Sequence, residues 1–367
     1  MKQSGVYGSG APKTTPYRWI ATVLPIIDWL PNYRSSWLWP DFIAGLTLAA
    51  YAVPVAVAYS SLAGLPPQAG LYCFIFGGAL YAMFASSRHL AVGPTAAISV
   101  MVASVVGTMA GGDESLYAAI AALTAGIVAL ICFLAWLLRL SNFVNFISET
   151  ILLGFKAGAA LSIASMQLPK LFGLPGGGSH FIQRIIILGR QIGDTNPAVL
   201  ITGVGALLLL AIGERLLPKR PVALLVVVLS IVVASLFGLA DRGVRLIGVI
   251  PAGLPHFAFP NIGMQHVEGL VELAFACFLL SYIESISAAR TFAMKHDYPV
   301  DARQELLGLA AANMAAAVGH GFPVAGGLSQ SAVNERAGAR TPLSLIFASL
   351  TLTMVLLFLT GLLRNLP

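Results

Sequence analysis

Charge is the scarcest property of this chain: Asp, Glu, Lys and Arg together make up 10% of its 367 residues, whereas 57% are hydrophobic. A soluble domain carries about 25% charged residues, and the mean hydropathy of +0.85 excludes that class. The chain reads as an all-α polytopic membrane protein. Cysteine is nearly absent too. Its 3 copies, Cys73, Cys132 and Cys277, fall inside apolar runs without paired spacing, which argues against a disulfide framework or a metal site. They read as small core residues. Residues 1 to 15 hold Gly, Ser, Lys and Pro but no apolar stretch, so no cleavable signal peptide is expected and the first span acts as signal and anchor. The formal charge of +6 is read as membrane topology; no nucleic-acid partner and no cofactor are expected.

What is present is a rapid succession of apolar segments. A span needs about 20 apolar residues, and candidates lie near 42 to 63, 70 to 87, 94 to 110, 116 to 138, 147 to 168, 197 to 215, 221 to 239, 267 to 288, 304 to 319, 327 to 336 and 342 to 361, eleven in all. A short interfacial helix is expected at Phe181 to Gln191. With the N-terminus inside, fourteen basic residues fall on the cytoplasmic side and six outside, with Lys156 within a span. That bias sets the orientation.

Two of the spans are broken. Gly93-Pro94-Thr95-Ala96-Ala97 and Gly321-Phe322-Pro323-Val324-Ala325-Gly326-Gly327 interrupt apolar segments, and the third and tenth spans, both short, start just after them. Pro94 follows the start of span one, Phe42, by 52 residues, and Pro323 follows the start of span eight, Glu268, by 55. Seven spans separate the two starts, so the second repeat is inverted. Unpaired backbone in a bilayer survives only where it lines a cavity, and broken helices at matching points of two repeats mark the substrate site of a secondary transporter.

Two half-helices entering from opposite faces meet near the midplane, N-terminus to N-terminus. Each terminus offers free N–H groups and roughly half a positive charge, so the pair suits a small inorganic anion. Thr95, Ala96 and Ala97 would supply backbone amides from one side; Gly327, Leu328, Ser329, Gln330 and Ser331 would supply amides and hydroxyls from the other. Taken alone, Gly93-Pro94 reads as an ordinary helix start with proline in its first turn; its in-register partner turns it into a site. Tyr51, Val55 and Tyr59 are the expected pocket wall. Glu284 lies deep in span eight, where a carboxylate is costly unless paired, protonated or hydrated. It reads either as a coupling site for a proton or sodium ion, or as a boundary residue paired with Arg290. Glu149 and Lys156 read as a structural pair in span five, and His320 as an outer-vestibule residue.

The ordered motifs resemble the SulP anion permease family of sulfate, bicarbonate and dicarboxylate transporters. They are Pro40-Asp41-Phe42-Ile43-Ala44-Gly45-Leu46-Thr47, Leu62 through Tyr72, Ser86-Ser87-Arg88 through Thr95, Glu284-Ser285-Ile286, and Asn334 through Pro342. The resemblance implies a seven-plus-seven inverted-repeat transporter fold of the UraA type with fourteen spans, of which about eleven are here. It divides the chain into a cytoplasmic tail (1–38), core-domain spans 1–4 (39–140), gate spans 5–7 (141–240), an outer loop (241–266) and core-domain spans 8–11 (267–367). Spans twelve to fourteen and the STAS domain of many relatives are expected to be missing. Val55 stands where many relatives have Gln, and Gln330 where several have Arg, so the pocket loses polar contacts.

The resulting expectation is secondary active transport of an inorganic anion, sulfate-type first with bicarbonate or chloride as alternatives, by an integral protein of the plasma (bacterial inner) membrane. A homodimer is possible by the same resemblance. The competing readings are an anion channel or non-transporting scaffold and, remotely, an intramembrane serine protease built on Ser329 and His320.

Overall fold

The computed structural model describes residues 23–141, 149–178, 181–217, 222–248, 251, 253–255, 257–258 and 267–367. The N-terminal basic residues Lys2, Lys13 and Arg18, and the Glu149 and Lys156 side chains, lie outside what is described. Helices stand at all eleven positions expected for spans and at the one expected for a short helix, twelve in all. They are α1 (Leu38–Leu62), α2 (Pro67–Tyr72 continuing through Gly78–Phe84), α3 (Ala96–Ala110), α4 (Glu114–Leu137), α5 (Glu149–Phe172), α6 (Phe181–Gln191), α7 (Pro197–Leu216), α8 (Val222–Leu236), α9 (Val267–His296), α10 (Ala302–Val318), α11 (Leu328–Arg336) and α12 (Leu343–Phe358). The sixth of these stands where a short interfacial helix is expected, with the expected bounds. Its segment, Phe181–Asp194, meets Pro197–Gly213 at 118°.

Local chemistry sets several ends. Asp113 caps α4 by accepting from the Ser115 and Leu116 amides, Asn196 caps α7 through Ala198 and Val199, and Asp301 caps α10 through Arg303 and Gln304. Each cap satisfies donors that the helix itself leaves unpaired. Among the described residues, three helical segments are long and apolar enough to cross a bilayer unaided: Ser35–Leu62, Glu114–Leu137 and Gly269–His296. By contrast α3 has 15 residues and α11 has 9, and at about 1.5 Å per residue neither reaches across a hydrocarbon layer of about 30 Å.

Where the structure departs from the expected bounds, there is a physical reason. α9 runs on to His296, past the expected end at 288, and its last turn is anchored by charge. Lys295 and His296 reach Glu335 at the end of α11, at 3.0 and 2.7 Å.

The main buried cluster draws on α1 to α4, α9, α10 and α12, including Leu48, Ile98, Ile120, Leu270, Leu309 and Leu352. α10 packs along α4, and α12 along α1. Within this unit α2 carries a π-helical turn, Cys73–Gly77, a local widening that often marks functional sites. Its side chains press on both breaks. The Cys73 thiol donates to Phe322 O (3.4 Å), while a Cβ placed on Gly93 would overlap the Phe74 ring. Only glycine permits that approach.

Candidate functional site

The two breaks meet as a miniature antiparallel sheet. Val92–Gly93 forms β1 and Ala325–Gly326 forms β2, with Val92 opposite Gly326 and Gly93 opposite Ala325. β1 leads through Pro94 and Thr95 into α3, and β2 leads through Gly327 into α11. The ladder therefore sets the two helix N-termini beside each other. The first bond within α3 runs from Ser99 N–H to Thr95 O (3.0 Å), and within α11 from Ser331 N–H to Gly327 O (3.0 Å). The amides of Ala96, Ala97 and Ile98, and of Leu328, Ser329 and Gln330, precede those ladders, as the first turn of any helix requires.

The predicted site residues divide by exposure and occupation. Ala96, Ala97 and Gly327 are half-buried, and Leu328 and Ser329 are exposed. Thr95 is buried, and its Oγ1 has no hydrogen-bond partner among the described residues. A buried hydroxyl without a partner is costly, and here it stands at the N-cap of α3. Gln330 and Ser331 are buried and engaged with backbone: Gln330 Nε2 donates to Ala91 O (3.0 Å) and Ala325 O (3.3 Å), and Ser331 Oγ accepts from Ala91 N–H (2.9 Å) and donates to Gly327 O (2.7 Å).

Tyr51, Val55 and Tyr59 are all half-buried on α1, at the four-residue spacing that shares a helix face. α11 packs against α1. Glu284, half-buried on α9, lies within electrostatic reach of Tyr59. His320 is exposed in a left-handed conformation, φ 56°.

Sequence reasoning missed the groups that hold the second break. Asn313 of α10 accepts from Val324 N–H (3.0 Å) and donates to Val324 O (3.2 Å), Ser281 of α9 donates to the same carbonyl (2.7 Å), and Ser285 accepts from Gly326 N–H (2.7 Å). It also missed two buried carboxylates that tie loops down. Asp41 accepts from Arg340 N–H (2.6 Å), Thr341 N–H (3.1 Å), Thr341 Oγ1 (2.7 Å) and Tyr33 OH (3.1 Å). Glu305 accepts from Ser86 N–H (3.0 Å), Ser86 Oγ (2.7 Å), Ser87 N–H (2.9 Å) and Tyr81 OH. The segment leading to β1 carries His89, buried, with Nδ1 3.2 Å from Tyr298 OH and Nε2 3.2 Å from Ala339 O. Burial and the neighbouring His296 push this imidazole down to about 4.

The family model for sulfate permeases matches residues 38–367. The chain belongs to the sulfate permease family. A probable sulfate transporter of Mycobacterium tuberculosis is 34% identical over 336 residues, covering 92% of this chain and 60% of that protein. Murine solute carrier 26 family member A9, an anion transporter solved in its inward-facing state, superposes with a TM-score of 0.89 at 23% identity, covering 100% of this chain and 63% of that one. The transmembrane domain of the cyanobacterium bicarbonate transporter BicA gives 0.80 at 24% identity, covering 91% and 86%. These likenesses establish the inverted-repeat membrane fold. The chain spans about three fifths of the length of the curated relative. Membership of a transporter family also sets aside the serine-protease reading of Ser329 and His320.

Proposed function

We propose that this chain takes part in carrying a small inorganic anion across a membrane, holding it between the first turns of α3 and α11. The observation that carries the reading is the β1–β2 ladder, which brings two helix N-termini side by side, beside a buried Thr95 hydroxyl with no partner among the described residues. The donors are neutral: the amides of Ala96 and Ala97, those of Leu328, Ser329 and Gln330, and the hydroxyls of Thr95 and Ser329. Two aligned dipole ends supply the positive potential.

A sulfate-type anion is the first choice, supported by the names of the curated relatives; bicarbonate and chloride remain the alternatives. Glu284, beside Tyr59, is the proposed proton or sodium coupling residue. The N-terminus is placed in the cytoplasm by the excess of basic residues on that side, in a plasma membrane. Transport proceeds by α1–α4 and α9–α12 moving together against the remaining spans.

The test is binding of radiolabelled sulfate to the purified chain, with uptake into liposomes as a second readout. Saturable binding suppressed by a competing anion is expected, and Ser329→Trp should abolish it. Binding unchanged in that variant would move the site elsewhere, and flux that never saturates would favour a channel.

A further inference from the structure

We infer that Gln330 and Ser331 are positioning residues, which tie the first break to the second and so fix the spacing between the two helix N-termini. The inference rests on the anion site proposed above and assigns these two side chains a different task from that of ligands.

Ala91, just ahead of β1, is the point of attachment. Its carbonyl accepts from Gln330 Nε2 (3.0 Å) and from Gly327 N–H (3.3 Å), and its own N–H donates to Ser331 Oγ (2.9 Å). The peptide groups of residue 91 are thus gripped from α11 by two side chains and one amide. A primary amide has two N–H donors, and Gln330 commits them to Ala91 O and Ala325 O, one carbonyl from each break. Ser331 commits its proton to Gly327 O. The exposures agree: 3% for Gln330 and 0% for Ser331. Gly327 makes room for the fold-back, since a Cβ there would stand 2.8 Å from Gln330 Nε2.

The consequence is a site whose attraction comes from backbone dipoles, whose effect falls off within the first turn of a helix. Such a site depends on how far apart its two ends are held. Loosening the tie should alter which anion sizes fit best, whereas removing a ligand weakens every anion alike.

Gln330→Met keeps the volume and removes the donors; Ser331→Ala removes the hydroxyl. Two readouts on the purified full chain separate the roles. The first is amide hydrogen exchange at residues 91–93 and 325–327 without any anion, where each substitution should speed exchange by about tenfold, the loss of one buried hydrogen bond. The second is competition against sulfate by selenate, molybdate and tungstate, where each should shift preference towards the larger oxyanions by about fivefold. The double variant should add little, since both side chains hold the same residue, Ala91.

Should Gln330→Met fold poorly, Gln330→Glu serves instead. As a carboxylate it repels both carbonyls, and as a neutral acid it donates once, so exchange protection corrected for intrinsic rates should return on acidification. A uniform loss of affinity with unchanged exchange in Gln330→Met would overturn the proposal and make Gln330 a ligand. Unchanged exchange and selectivity in Ser331→Ala, or no acid recovery in Gln330→Glu, would overturn it as well. If the unsubstituted chain bound no anion, the site itself would fail, and the exchange readout would still decide the tie.

Discussion

The break at 93–97 and the break at 321–327 both hand a short extended stretch to a helix N-terminus, yet they draw their hydrogen bonds from different sources. The second is held mainly within its own repeat, by Asn313 and Ser281 on Val324 and by Ser285 on Gly326, with Cys73 of the first repeat reaching only Phe322 at its start. The first takes its grip from the opposite repeat, through Gln330 and Ser331 on Ala91. In the face expected to line the pocket, α1 presents Val55, which offers no polar atom to the first break. The two half-helices still share one detail: Ser99 Oγ and Ser331 Oγ each donate to the carbonyl four residues back, at 2.8 and 2.7 Å. The difference is therefore one of support around a common helix start. The second repeat is the template, and the first keeps a polar group, the Thr95 hydroxyl, uncommitted.

Asn313→Leu should do the most damage to this arrangement, because it strips the Val324 amide of its acceptor in a buried place. A loss of about 3 kcal/mol is expected, visible as a lower thermal midpoint, together with loss of anion binding. A drop below about 1 kcal/mol would mean that the second break does not depend on its own repeat. Gly93→Ala comes next, since its Cβ would overlap Phe74. Overpacking of this kind costs about 1–3 kcal/mol, and Phe74→Leu in the same chain should recover part of the thermal midpoint.

Thr95→Val sharpens the contrast from the other side. The hydroxyl has no partner among the described residues, so stability should hardly change while anion affinity falls about tenfold, the worth of one hydrogen bond to a charged group. A stability loss without an affinity loss would make Thr95 a structural residue.

The smallest effect concerns pH. His89 sits in the segment leading to β1 and faces His296, Glu335, Arg88 and Tyr298. Its imidazole is held down to about 4, against about 6.5 in an unfolded chain. The folded state therefore binds fewer protons between those values. Stability is full above about pH 6.5, declines as pH falls towards 4, and levels off below. Unfolding followed across that window should show a shallower decline in His89→Gln.

The breaks, the short α3 and α11 and the bounds of α6 were all legible in the sequence, because each is written in local terms: a Gly–Pro interruption, a shortened apolar run, an amphipathic turn. The supports were not. Asp41 meets Thr341 across 300 positions and Glu305 meets Ser86 across 219, and both carboxylates are satisfied by backbone N–H and hydroxyl groups. No pattern of opposite charges announces such a pairing. Asp41 and Thr341 even fall in two of the motifs that suggested the family, without any hint that they touch. Gln330 was read as a ligand because it occupies the first turn of a half-helix, and only the fold shows that its side chain turns back towards the sheet.

The four-residue ladder also bears on how an anion held at the proposed site would leave. Prying α3 and α11 apart would expose backbone donors and acceptors in a place without water to receive them, at roughly 1–3 kcal/mol for each group left bare. On the proposed reading the seat would be zipped shut along its back edge, so that an anion held there would leave laterally, when a neighbouring wall retreats, while the two arms of the seat stay clasped.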